Sequence, residues 1–193
     1  MLAEPIIYRI DAQDRICGCN DAWISFARDN EGEESLPAQV VGQPLWDVVT
    51  DPTLRELYQR MVAKARAGQL VQFRYRCDAP AERRTFHMTL RGEPDGVVEF
   101  HSELKSYEER PSVEWLKPHV TTNKELVRLC SWCARVFVEG LGWVSIERAI
   151  ERHGSLQGQG SPKLTHGMCE DCRDEMLQLL ENPAAKDLNR LPA

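Results

Sequence analysis

Long apolar runs are missing from this 193-residue sequence, whose uncharged apolar stretches extend only a few residues. Spanning a bilayer takes roughly 20, so no membrane segment is expected. The opening MLAEPIIYRIDAQDR has neither a basic start nor a sustained apolar stretch, which argues against a secretory signal and for a cytoplasmic protein. A basic excess is missing too. The formal net charge is −6, with 15 basic against 20 acidic residues up to position 119 and 9 against 10 beyond it. Phosphate-backbone binding normally needs the opposite balance, which argues against a nucleic-acid partner. Internal repeats, P-loop and serine-hydrolase motifs are absent, and no kinase, cyclase, phosphodiesterase or receiver signature follows the first hundred residues. The chain is therefore expected to be non-catalytic.

Cysteine, by contrast, is plentiful, with seven in the chain. Thiols stay reduced in the cytosol, so these do not read as a disulfide framework. Four of them form two CxxC pairs, Cys130 and Cys133 in CSWC and Cys169 and Cys172 in THGMCEDC. The other three, Cys17, Cys19 and Cys77, sit in apolar-patterned segments and are expected to pack as small hydrophobes in strands.

The first half reads as α+β. PIIYRIDAQDRICGCN predicts strands over Ile6–Ile10 and Arg15–Cys19 joined by a polar turn. Asn20 or Asp21 then caps a helix with Trp23, Phe26 and Ala27 on one face. EGEESLPAQV reads as an acidic loop without period, and VVGQPLWDVV as a short apolar piece, broken by Gly42 and Pro44, that gives short helical pieces before the next helix. Thr50 or Asp51 caps the clearest helix, with Pro52 in its first turn and Leu54, Leu57, Tyr58, Met61 and Val62 as its buried stripe; Gly68 ends it. Three alternating strands follow, in LVQFRYRC, TFHMTL and VVEFHSEL. Their outward row, Arg74, Arg76, Thr85, His87, Thr89, Glu99 and His101, is either a solvated face or a surface for pairing.

This order of elements over Ile6 to Leu104 resembles the PAS sensor family, most clearly in RIDAQDRICGCNDAW and next in VVGQPLWDVV. The resemblance implies a five-stranded antiparallel sheet cupping several short helices, a small ligand of unknown identity or an empty core, and homodimers formed through this domain. Haem-binding members offer a histidine near the long helix, and DPTLRELYQRMVAKARAG has none. The flavin-photosensing signature Asn-Cys-Arg-Phe-Leu-Gln is also lacking.

The two CxxC pairs carry the chemistry of the second half. A structural zinc site needs four ligands in a tetrahedron, and each CxxC turn supplies two thiolates. The second pair falls where a helix is expected over Arg173 to Leu180, whose N-terminal dipole favours thiolate. Between the pairs lie a hairpin turning at Glu139-Gly140-Leu141-Gly142, a helix capped by Ser145 with Ile146, Ala149 and Ile150 inward, and a loop in LQGQGSP. A knuckle, a hairpin and a helix N-terminus make the module treble-clef-like. The 35 residues separating Cys133 from Cys169 exceed the usual spacing of about 15–20. A segment of about 60 residues is marginal on hydrophobic burial alone. One structural zinc ion, contributing roughly 10–16 kcal/mol in small fingers, offsets that deficit.

His166 is a possible alternative ligand, or a partner for a sulfur or the turn backbone. Gly167 is expected to supply a backbone conformation that other residues resist. CSWC, the Gly-Trp at Trp143 and HGMCEDC together resemble a C-terminal module of bacterial PAS-containing signalling proteins, which implies Cys130, Cys133, Cys169 and Cys172 as the metal ligands.

The expected organisation is a PAS-like domain over 1–106, a linker over 107–123 with Trp115 and Leu116 docking on that domain, a zinc module over 124–183 and a tail over 184–193. The expected function is a sensor or adaptor, with the zinc module presenting a surface to a protein partner. Two alternatives use the same cysteines: a redox sensor holding iron or an iron–sulfur centre, and a zinc-dependent DNA-binding regulator.

Overall fold

The computed structural model describes residues 4–117, 122–152 and 161–181. Strands β1 (Ile6–Ile10) and β2 (Ile16–Cys19) form the expected hairpin. Asp11 builds its turn, the carboxylate accepting from the Gln13 and Arg15 backbone N–H groups at 2.9 Å each. Arg15 makes only a single bridge to Pro44, so β2 starts one residue later than the pattern suggests. Asn20 then fixes the chain in two directions. Its Oδ1 accepts from Trp23, capping helix α1 (Asp21–Asp29), and from Ile7 of β1, both at 3.0 Å.

The segment EGEESLPAQV, expected as an aperiodic loop, is instead partly helical, and the short helical piece expected in VVGQPLWDVV is present. A 3₁₀ turn (Glu33–Ser35) leads into the one-turn helices α2 (Pro37–Val40) and α3 (Leu45–Val48), which bury Val40 and Leu45. Four residues are too few for a 3.6-residue period to register. The long helix α4 (Pro52–Arg66) is as expected: Asp51 caps it through Leu54 N–H at 2.9 Å, and Leu54, Leu57, Met61, Val62 and Ala65 face inward.

Strands β3 (Val71–Arg76), β4 (Glu82–Gly92) and β5 (Val98–Glu109) complete an antiparallel sheet in the order β2-β1-β5-β4-β3. The fold is therefore α+β, with helices packed against a five-stranded antiparallel sheet. Register sets Tyr8 opposite Phe100, Phe100 opposite Leu90 and Met88 opposite Phe73, which lines up one apolar face. One residue on these strands departs from the expected alternation, whereas Ser102 keeps to the inward face with Val98 and Phe100. Thr89, read as outward, is buried and takes a hydrogen bond from Gln72, while Ser102 is buried against the Tyr75 hydroxyl at 2.6 Å. Cys17 is also corrected. It is exposed, because β2 is an edge strand and Ile16, not its neighbour, turns into the core.

The second half builds a four-stranded sheet in the order β8-β7-β6-β9, from β6 (Thr122–Cys130), β7 (Val136–Val138), β8 (Gly142–Val144) and β9 (Ser161–Gly167). Strands β6 and β9 run parallel, with Leu129 beside His166 and Cys130 beside Gly167. Helices α5 (Ile146–Arg152) and α6 (Glu170–Glu181) complete it, with Ser145 Oγ accepting from Arg148 N–H at 3.3 Å. The end of the expected loop LQGQGSP is corrected, since Ser161 and Pro162 belong to β9, while the rest of that loop, the helix stop at Pro183 and the tail lie outside the described residues.

A small core gathers Val113, Val127, Val136, Val138, Ile146 and Ala149. Trp115 and Leu116 pack against this core, which corrects their expected docking on the first domain. Where a linker is expected, Arg110 N–H donates to Ala81 O and Val113 N–H to Pro80 O, each at 2.9 Å. Arg83 and Arg110 both reach Glu147 of α5, at 2.8 and 2.9 Å. Burial alone would raise the Glu147 carboxyl, yet these arginines hold it down at about 2. No described helix is long and apolar enough to cross a membrane.

The two halves also share one interior. The large core cluster joins Leu57, Met61, Phe73 and Phe100 to Cys130, Trp132, Cys133, Cys169, Cys172, Met176 and Leu180. The second half therefore does not rely on its own apolar residues alone, contrary to the size argument made from sequence.

Candidate metal centre

Four elements converge on the cysteines. Cys130 ends β6, and the turn after it is tight: Ala134 N–H donates to Cys130 O at 3.0 Å and Cys130 N–H to Arg135 O at 2.7 Å. Parallel pairing then brings the second pair alongside, since Ser131 N–H donates to Gly167 O at 2.9 Å. Cys169 immediately precedes α6 and Cys172 lies in its first turn. The N-terminal end of that helix carries partial positive charge, which suits thiolates.

All four sulfurs lie within 4.8 Å of one another, and all four residues are buried. Cys169 Sγ stands 3.7 Å from Cys130 Sγ and 3.8 Å from Cys133 Sγ. Thiolates bound tetrahedrally to zinc at about 2.3 Å are themselves about 3.8 Å apart, so the donor set fits such an ion. The Cys169 backbone N–H adds a hydrogen bond to Cys130 Sγ at 3.4 Å. Without a cation, four thiols this close cannot all ionise. Hydrogen bonding among them pushes Cys133 and Cys169 down and Cys130 and Cys172 up.

His166 stands outside this group. It lines a cavity of about 810 Å³ between the halves, together with Tyr75, Arg84, Trp115 and Leu164. Gly167 does not have the unusual backbone expected of it, because its φ is not positive. A side chain there would instead crowd Arg128, whose Cδ lies 3.2 Å from the position of a Cβ. The strained residue is Ala134, directly after the first pair, at φ +57°. A left-handed conformation costs an alanine roughly 1–2 kcal/mol, against about 0.5–1 kcal/mol for the extra freedom of glycine in the unfolded chain. Ala134→Gly is therefore expected to stabilise the protein by about 0.5–1 kcal/mol. A urea midpoint unchanged or lower than wild type would refute that account of the turn.

Two residues beside the cysteines were not singled out from sequence. Trp132, inside CSWC, is buried against the first half, its ring 4.6 Å from Phe73 and 5.8 Å from Tyr58. Its carbonyl accepts from Arg76 N–H of β3 at 2.8 Å, while its buried indole Nε1 has no hydrogen-bond partner among the described residues. Arg135 donates from Nε to Cys133 Sγ at 3.3 Å and from Nη2 to Cys169 Sγ at 3.1 Å. A cation two residues past a CxxC was the available signal for it. Trp143, on β8, packs edge-on to Phe137, and the Arg128 guanidinium lies over both rings.

No known family model matches the chain, and no curated protein matches it.

Proposed function

We propose that the chain is a non-catalytic, cytoplasmic sensor or adaptor of the PAS type whose four cysteines hold one structural zinc ion. The observation that carries the metal is the group of four buried sulfurs within 4.8 Å. A full set of four thiolates leaves no coordination position for a substrate or water, which favours a structural role over a catalytic one. The five-stranded antiparallel sheet with helices packed on it supports the PAS reading of the first half. The hairpin β7–β8 after the first pair, and α6 starting at the second, support a treble-clef reading with α5 and β9 inserted between them.

In this reading the first half takes a ligand or pairs with a second copy, and the metal module offers a surface to a partner protein. Exposed Leu126, Phe137 and Leu141 are apolar candidates for that surface. Signal passes between the halves through the interior they share at Trp132.

Elemental analysis and visible absorbance of the untagged, anaerobically purified protein test the metal. One zinc per chain and a colourless solution are expected. Stoichiometric iron with visible absorbance would replace the structural reading with a redox one, and a folded protein free of metal would end both.

A further inference from the structure

Beyond the four cysteines, the structure assigns a role to Arg135. We propose that Arg135 sets the strength with which the site holds a divalent cation, by bridging one thiolate from each CxxC pair and offsetting part of their negative charge. This rests on the metal-binding reading given above.

Four thiolates around a divalent ion leave two negative charges, and here all four donors are buried away from water. Buried charge is costly unless it is paired and hydrogen-bonded. Arg135 meets both needs. Its Nε reaches Cys133, from the first pair, and its Nη2 reaches Cys169, from the second. Asp171, in the first turn of α6, accepts from the same Nη2 at 2.7 Å, so the fork is oriented before any metal arrives. Among the described residues no other cationic side chain donates to these sulfurs. The neighbouring Arg173 pairs with Asp174 and is turned to solvent. A planar fork with donors on two nitrogens can serve two sulfurs at once, whereas a lysine offers a single nitrogen on a flexible stem.

The test uses the full chain, zinc as the probe, and competition with a chromophoric chelator. R135A is expected to bind one zinc with about 10- to 100-fold lower affinity, the usual effect of removing a group that hydrogen-bonds metal ligands. R135K, which keeps charge and bulk and so guards against a folding failure, is expected to fall between R135A and wild type. R173A is expected to match wild type. Wild-type affinity in R135A or in R135K would overturn the proposal, as would an equal loss in R173A. A wild-type chain that binds no zinc would instead overturn the underlying reading of the cysteines. The two failures are thus distinguishable.

Discussion

Trp132→Ala is expected to destabilise the whole chain by about 3–5 kcal/mol, as large-to-small substitutions of buried aromatics do. The indole is enclosed by Phe73, Tyr58 and their neighbours. Its removal leaves a cavity between α4 and β3, and the loss of packing is felt on both sides. Trp132→Phe should cost much less. It loses volume but also deletes an indole N–H buried without an acceptor among the described residues, whose desolvation costs about 1–3 kcal/mol. Urea denaturation followed by far-ultraviolet circular dichroism distinguishes the cases. If Trp132→Ala lies within 1 kcal/mol of wild type, the halves are not stabilised through a common interior.

Cys169→Ser is expected to have the larger effect in the presence of zinc. Cys169 Sγ contacts the sulfurs of both first-pair cysteines and accepts from Arg135, so it sits at the middle of the group. The serine variant should lose stoichiometric zinc, and with it most of a stabilisation of roughly 10 kcal/mol. Because α6 packs on α4, and both pairs belong to the large core, the loss should reach Met61 and Phe73. Hydrogen exchange at those positions is the direct measurement. A chelator should erase most of the difference between wild type and variant, since anything that binds only the folded state stabilises by mass action. Equal stability of the two proteins in zinc would mean that the cysteines form an ordinary apolar packing group.

The parts of the fold legible in the sequence were those specified by neighbours along the chain. Asn20 and Asp51 are caps whose partners, Trp23 and Leu54, lie three residues on, and the stripe of α4 repeats over four turns. Legibility failed where the signal was short, charged or remote. Helix α2 is a single turn inside an acidic segment. The far halves of β4 and β5 pair Glu82 with Glu109 and Arg83 with Glu108, so no apolar alternation marks them. The parallel partnership of β6 and β9 joins segments that no turn connects, and nothing local announces it. The same holds at the metal centre. CxxC spacing is local, so Cys130, Cys133, Cys169 and Cys172 could be named, and the structure brings their sulfurs together. Arg135 and Trp132 act across the fold, on Cys169 and Phe73, and their roles appear only once those partners are beside them.

The pairing of Cys130 with Gly167 has a consequence for how the protein is made. Synthesis is vectorial, and domains generally begin folding from the N-terminal side while the ribosome still works. The first sheet and α4 emerge early, but the second pair of cysteines follows some 35 residues after the first. Until β9 leaves the exit tunnel, the CSWC turn can rest on β3 through Trp132 but lacks the strand beside Cys130 and the two sulfurs of the second pair. The nascent chain thus passes through an interval in which only half of the sulfur group exists, whose length is set by translation speed and which ends when the late strand arrives.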